Sequence, residues 1–118
     1  LDAILATGMD GVIVSNTTVR REGLRSAAAH EAGGLSGAPL RDLSSDMVGR
    51  VARRVNGRVP IIASGGVMSP EDFQEKLAAG ATLVQLYTGL IYAGPGLVRQ
   101  ILSTLPQVGK TCGRVQAY

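Results

Sequence analysis

Apolar residues fall along this chain in two alternating patterns. Short unbroken runs, Val12-Ile13-Val14, Val59-Pro60-Ile61-Ile62-Ala63 and Thr82-Leu83-Val84-Gln85-Leu86-Tyr87, have the length and make-up of strands buried on both faces. Between and after them the spacing becomes helical: Val48, Val51, Ala52 and Val55, then Phe73 and Leu77, then Leu97, Val98, Ile101, Leu102 and Leu105. Residues 1–7 read as the end of a further helix closed by Gly8. Ser44 or Ser45 is placed to cap the second helix and Gly57 to end it. Ser69-Pro70-Glu71-Asp72 carries a cap, a proline at the first helical position and an acid two residues later, with Gly80 as the stop. Pro106 is expected to stop the last helix.

The order is therefore β-α-β-α-β-α with no hairpin signal, so the class is α/β with parallel strands. Right-handed crossovers build either an open doubly wound sheet or a (β/α)8 barrel. A barrel takes about 250 residues, so a chain of this length would hold about three of eight repeats. The chain opens without Met, in a stretch that reads as mid-helix, and is expected to be a piece of something longer.

Composition narrows the classes further. With one Phe, three Tyr and no Trp, the core must be aliphatic, which suits helices laid on a parallel sheet. The net charge of +3 comes from scattered arginines, and Arg53 and Arg54 belong on the wet side of a helix. No basic stripe with interleaved aromatics speaks for nucleic-acid binding. Cys112 is the single cysteine, so no disulfide framework or cysteine-based metal site is expected. No signal peptide and no apolar run of about 18 residues is present.

Reactive residues of such folds lie at the C-terminal ends of strands. Those ends are Ser15-Asn16-Thr17-Thr18, Ser64-Gly65-Gly66 and Tyr87-Thr88-Gly89. The stretch 16–42 is too long for an idle connection and carries Gly33-Gly34-Leu35-Ser36-Gly37. Adjacent glycines after a strand let backbone N–H groups approach an anion, or they simply make tight turns. A short helix over 90–92 could complete a phosphate site. Asn16 presents an amide donor and a carbonyl acceptor that match the edge of a pyrimidine, and an Asx turn is the plainer alternative. His30 reads as a solvated loop residue and Lys76 as the solvated side of an amphipathic helix. No acid pair, metal-ligand spacing or nucleophile-base signature accompanies them. From residues alone, the chain is a phosphate-binding α/β segment whose reaction is open.

Taken together, the motifs resemble the class 2 dihydroorotate dehydrogenases. Asp10-Gly11-Val12-Ile13-Val14-Ser15-Asn16-Thr17-Thr18 is similar to their substrate-loop strand, and Gly33-Gly34-Leu35-Ser36-Gly37-Ala38-Pro39-Leu40-Arg41 to their flavin loop. The segments Val59 through Val67 and Ala79 through Gly89 resemble their last two strands. The resemblance implies the C-terminal βα repeats of a (β/α)8 TIM barrel, incomplete in this chain, over residues 1–105, with a divergent tail over 106–118. It implies that Asn16 and Thr17 bind dihydroorotate or orotate, and that Ser15, Gly37, Gly66, Tyr87 and Thr88 hold flavin mononucleotide (FMN). Ser15 stands where the family usually has Thr. The family removes a proton from substrate C5, passes hydride from C6 to flavin N5, and reoxidises the flavin with quinone in pyrimidine biosynthesis.

The same resemblance puts the catalytic base, a serine, upstream of this chain, so no catalytic residue is assigned within it. A flavin-contacting lysine, the remaining substrate asparagines and the N-terminal helices of the quinone entrance are also placed upstream. Membrane association, at a bacterial cytoplasmic or mitochondrial inner membrane, would run through that N-terminal region. The 118 residues alone are expected to be inactive. Two other readings are a phosphosugar barrel such as those of histidine biosynthesis, which also carry Ala-Ser-Gly-Gly-Val, and an inactive truncated product.

Overall fold

The computed structural model describes residues 1–106; of the divergent tail expected over 106–118, all but Pro106 lies outside them. Three parallel strands, β1 (Val12–Val14), β2 (Ile61–Ser64) and β3 (Leu83–Gln85), form a sheet in the order β1-β2-β3. The helices are α1 (Asp2–Ala6), α2 (Arg41–Val55), α3 (Pro70–Ala78), α4 (Thr88–Ala93) and α5 (Gly96–Ser103). Short 3₁₀ turns occupy Ala27–His30 and Ala38–Leu40. The α/β class and the β-α-β-α-β order expected from the sequence are those observed. Among the described residues no helix is long and apolar enough to cross a membrane.

The strands are shorter than their apolar runs, for local reasons. Pro60 has no N–H to give the ladder, yet its carbonyl accepts the N–H of Val12 at 3.0 Å, so β2 proper starts at Ile61. Ser64 joins β2 because Gln85 pairs with it.

Register sorts the sheet into two faces. Val14, Ala63 and Val84 are lateral neighbours on the helix-covered side. There Val14, Ile61 and Ala63 pack with Val48, Val51 and Val55 of α2 into one core cluster. A second cluster joins Val67 to Leu97 and Ile101 of α5, with Phe73 of α3 against it. Burying each large aliphatic side chain in these clusters contributes about 1.5–3 kcal/mol. On the opposite face Ile13, Ile62 and Leu83 are lateral neighbours, and Ile13 and Leu83 are each 60% exposed. One step further along, Ser64 and Gln85 make a polar row at the C-terminal edge.

Two expectations about α2 change. The helix begins at Arg41, not near Ser44, because the Ala38–Leu40 turn with Pro39 already sets helical geometry. Ser44 is consequently inside the helix, buried, and donates to the Ser64 carbonyl at 2.8 Å. At the other end Asn56 takes the left-handed position at φ 46°, one residue before Gly57. The start of α3 is as read: Ser69 Oγ accepts the Asp72 N–H at 3.2 Å, with Pro70 at the first helical position.

Candidate functional site

All three strand ends and the glycine loop converge on one cleft of about 390 Å³, in the size range of small-molecule sites. Ser15, Asn16 and Thr17 enter it from β1, Ser64 to Val67 from β2, and Gln85 and Tyr87 to Gly89 from β3. Gly34, Ser36, Gly37 and Leu40 close it from the loop. Every site residue singled out from the sequence therefore lines one cavity. Among the described residues no carboxylate and no cation lines it, so an anion there would meet backbone N–H groups, hydroxyls and carboxamides.

The loop is held in place by its own residues. Thr18 and Leu35 exchange backbone hydrogen bonds at 3.0 and 2.7 Å, an isolated antiparallel bridge that folds the excursion back. The Arg21 guanidinium crosses it, donating to the carbonyls of Thr18 (3.2 Å), Glu31 (3.3 Å) and Gly33. Gly34 then sits so close to Thr17 that a Cβ would overlap the Thr17 hydroxyl. Ser36 Oγ and Thr88 Oγ1 lie 2.7 Å apart and tie the loop to the start of α4. At Gly37, φ +75°, a Cβ would stand 3.0 Å from Thr88 Cγ2. His30 is exposed on its 3₁₀ turn, away from the cleft lining.

Asn16 makes the local bond that the plainer reading foresaw. Its Oδ1 accepts the Thr17 N–H at 2.8 Å. The Thr17 hydroxyl also approaches Oδ1, at 3.4 Å, so the carboxamide is held from its oxygen side and its Nδ2 hydrogens are left for another partner. Tyr87 is 77% exposed, so what it brings to the cleft is chiefly backbone.

Gly66 is constrained by the protein itself. At φ +74°, a Cβ there would overlap Cα and N of Arg41 at the start of α2. At Gly65, φ +107°, a Cβ would stand 2.8 Å from Leu40 Cδ2. The glycine pair thus lets α2 pack directly onto the end of β2, whatever else the turn does.

Lys76 departs from expectation. It is not solvated: its side chain is fully buried, and Nζ donates to the Arg41 carbonyl at 2.8 Å and to Ser45 Oγ at 2.6 Å. Helix α3 has two buried sides, Phe73 toward α5 and Asp72 with Lys76 toward α2, so the apolar stripe alone misplaces the lysine. Burial pushes the Lys76 amine below its ordinary value, against the pull of Glu75 and Asp72. Gln85 and Ser36 were also missed. Gln85 left a signal, a polar residue two positions after Leu83 on one face of an apolar strand; Ser36 left none beyond its flanking glycines.

The sequence model of the family described as dihydroorotate dehydrogenase matches residues 1–108. A protein named dihydroorotate dehydrogenase (quinone) from Thermosynechococcus vestitus is 50% identical over 113 residues, 89% of this chain and 31% of its own length. One of the same name from Azotobacter vinelandii is 51% identical over 104 residues, 87% of this chain and 30% of its own. The solved structure of ligand-free DHODH from Eimeria tenella superposes with a TM-score of 0.82 at 47% identity, covering 86% of this chain and 29% of that one. The chain spans about 30% of the length of the curated relatives it matches.

Proposed function

The chain belongs to the dihydroorotate dehydrogenase family, and from that premise we propose that it supplies part of the flavin and pyrimidine sites of a quinone-dependent dihydroorotate dehydrogenase. The observation carrying this reading is the meeting of the Asn16-Thr17 turn, the Gly37 loop, the Gly65-Gly66 turn and Tyr87-Thr88 around one cleft. Its donor set fits FMN: hydroxyls and main-chain groups with no carboxylate to repel a phosphate. Bound there, FMN would supply the two-electron acceptor between dihydroorotate and quinone.

The chain's own residues would bind and orient. Asn16, its carboxamide held by Thr17 N–H, would offer a donor and an acceptor to the alternating polar edge of the pyrimidine, and Thr17 a hydroxyl. Ser15, Gly37, Gly66, Tyr87 and Thr88 would hold the flavin, largely through backbone groups. Ser36, bonded to Thr88 Oγ1, would fix the direction of that hydroxyl. Quinone exchange and attachment to a membrane surface would fall to an N-terminal region of the longer enzyme.

The test uses the full-length protein carrying this segment. Asn16→Ala should weaken orotate binding by roughly 1–3 kcal/mol, the loss expected when a ligand's polar group is left without a partner. Titrating orotate against the flavin absorbance measures it; unchanged affinity would remove Asn16 from the pyrimidine site. A full-length protein that binds phosphosugar and no flavin would favour the other barrel chemistry.

A further inference from the structure

We propose that Lys76 is a positioning residue: through Arg41 and Ser45 it holds the first turn of α2 where the Gly65-Gly66 turn can receive the flavin's phosphate. The inference rests on the reading of the cleft as a flavin site and names a residue outside the cleft lining on which that site depends.

The connections run through backbone and short side chains. Nζ gives two of its three hydrogens to one helical turn, at the Arg41 carbonyl and at Ser45 Oγ. That same turn is the wall behind the glycines. Arg41 Cα and N press on Gly66, Leu40 on Gly65, and Ser44 Oγ donates to the Ser64 carbonyl. Asp72, one helical turn before Lys76, ties down the other side. Its Oδ2 accepts the Met68 N–H at 2.9 Å, two residues past Gly66, and its Oδ1 lies 3.5 Å from the Arg41 guanidinium. Helix α3 thus grips both flanks of the glycine turn through one buried cation and one buried anion.

A fully buried ammonium is an expensive way to fill this space. An apolar side chain of similar length would avoid the desolvation of a charge, and such replacements are often neutral or stabilising. The depressed pKa of Lys76 is the sign of that desolvation. What the ammonium provides and a thioether cannot is a directional hold on Arg41 and Ser45. The placement it enforces matters at Gly66, where Arg41 leaves no room even for a Cβ.

The experiment compares FMN with riboflavin, which lacks the phosphate, as ligands for the full-length apoprotein. Lys76→Met should reduce FMN affinity about tenfold, the size of one hydrogen bond to a charged group, and leave riboflavin affinity nearly unchanged. Val55→Ala, at the far end of α2 and equally buried, should lower thermal stability without changing the FMN-to-riboflavin preference. Should Lys76→Met fail to fold, Ser45→Ala removes one of the two acceptors and should shift the preference in the same direction by about threefold. An unchanged preference in the folded variant, or an equal shift in Val55→Ala, overturns the positioning role. If the wild-type protein itself shows no preference for FMN over riboflavin, the phosphate reading of the cleft falls, and this inference with it.

Discussion

Gly66→Ala should destabilise the protein far more than Gly57→Ala, although both glycines sit at φ +74°. The matched angle makes the pair a controlled comparison. A Cβ in left-handed geometry costs about 1–2 kcal/mol. Stiffening the unfolded chain returns about 0.4–1 kcal/mol of that. Gly57 has none of the described residues within 4 Å of its would-be Cβ, so its substitution should cost roughly 1 kcal/mol in total. At Gly66 the same Cβ lands on Cα and N of Arg41. These are backbone atoms at the start of a helix of 15 residues and cannot swing aside as a side-chain tip could. Overpacking of this kind adds about 1–3 kcal/mol, and the upper part of that range applies where backbone must move. Equilibrium urea unfolding of the two full-length variants should therefore separate them by about 2–3 kcal/mol, a midpoint difference of about 1 M. Equal midpoints would refute the contact between α2 and the glycine turn, and with it the path from Lys76. The comparison also bears on ligand tests: flavin lost from Gly66→Val would report damage to α2 packing as readily as an obstructed phosphate.

Two further outcomes follow from burial. Because the Lys76 pKa is lowered in the folded state, the unfolded chain binds the extra proton between that value and 10.5, so Lys76 makes stability rise with pH across this window; Lys76→Met should flatten the rise in urea midpoint, and an unaltered slope would refute the buried ammonium. Expressed by itself, the 118-residue chain should self-associate through the open row of Ile13, Ile62 and Leu83, with sedimentation depending on concentration, whereas Ile13→Lys should reduce association and a wild-type monomer at all concentrations would count against it.

Strands, helices and the cleft-facing turns were readable because each depends on neighbours close in sequence. The run Val12-Ile13-Val14 is apolar at every position, the pattern of a parallel strand, although here Val14 faces the helices and Ile13 is 60% exposed, and Ser69-Pro70 starts a helix by local hydrogen bonding and ring geometry. The cleft was readable because parallel strands deliver their C-terminal ends to one edge, so Asn16, Gly66 and Thr88 meet without any motif joining them. Lys76 was not readable, since its acceptors on Arg41 and Ser45 are more than 30 residues away and lie on a different helix. Ser44 was misread for a related reason: a serine near a helix start caps locally unless another element offers a buried carbonyl, and Ser64 does. The tie between Ser36 and Thr88 spans 52 residues and exists only once the loop has folded back across Arg21.

The strand register has a consequence for how such a site can vary. Ser64 and Gln85 face the cleft one step beyond Ile62 and Leu83, while Ala63 and Val84 between them turn to the helices. Cleft surface and helix-side core are therefore written in alternate letters of the same short strands. A change at Gln85 alters what the cleft can hydrogen-bond and leaves the packing beneath α2 and α3 untouched, whereas a change at Ala63 does the reverse. Selection can revise cleft chemistry and stability along β2 and β3 on separate tracks, residue by residue, until the turn after β2, where Gly65, Gly66 and Val67 serve both at once.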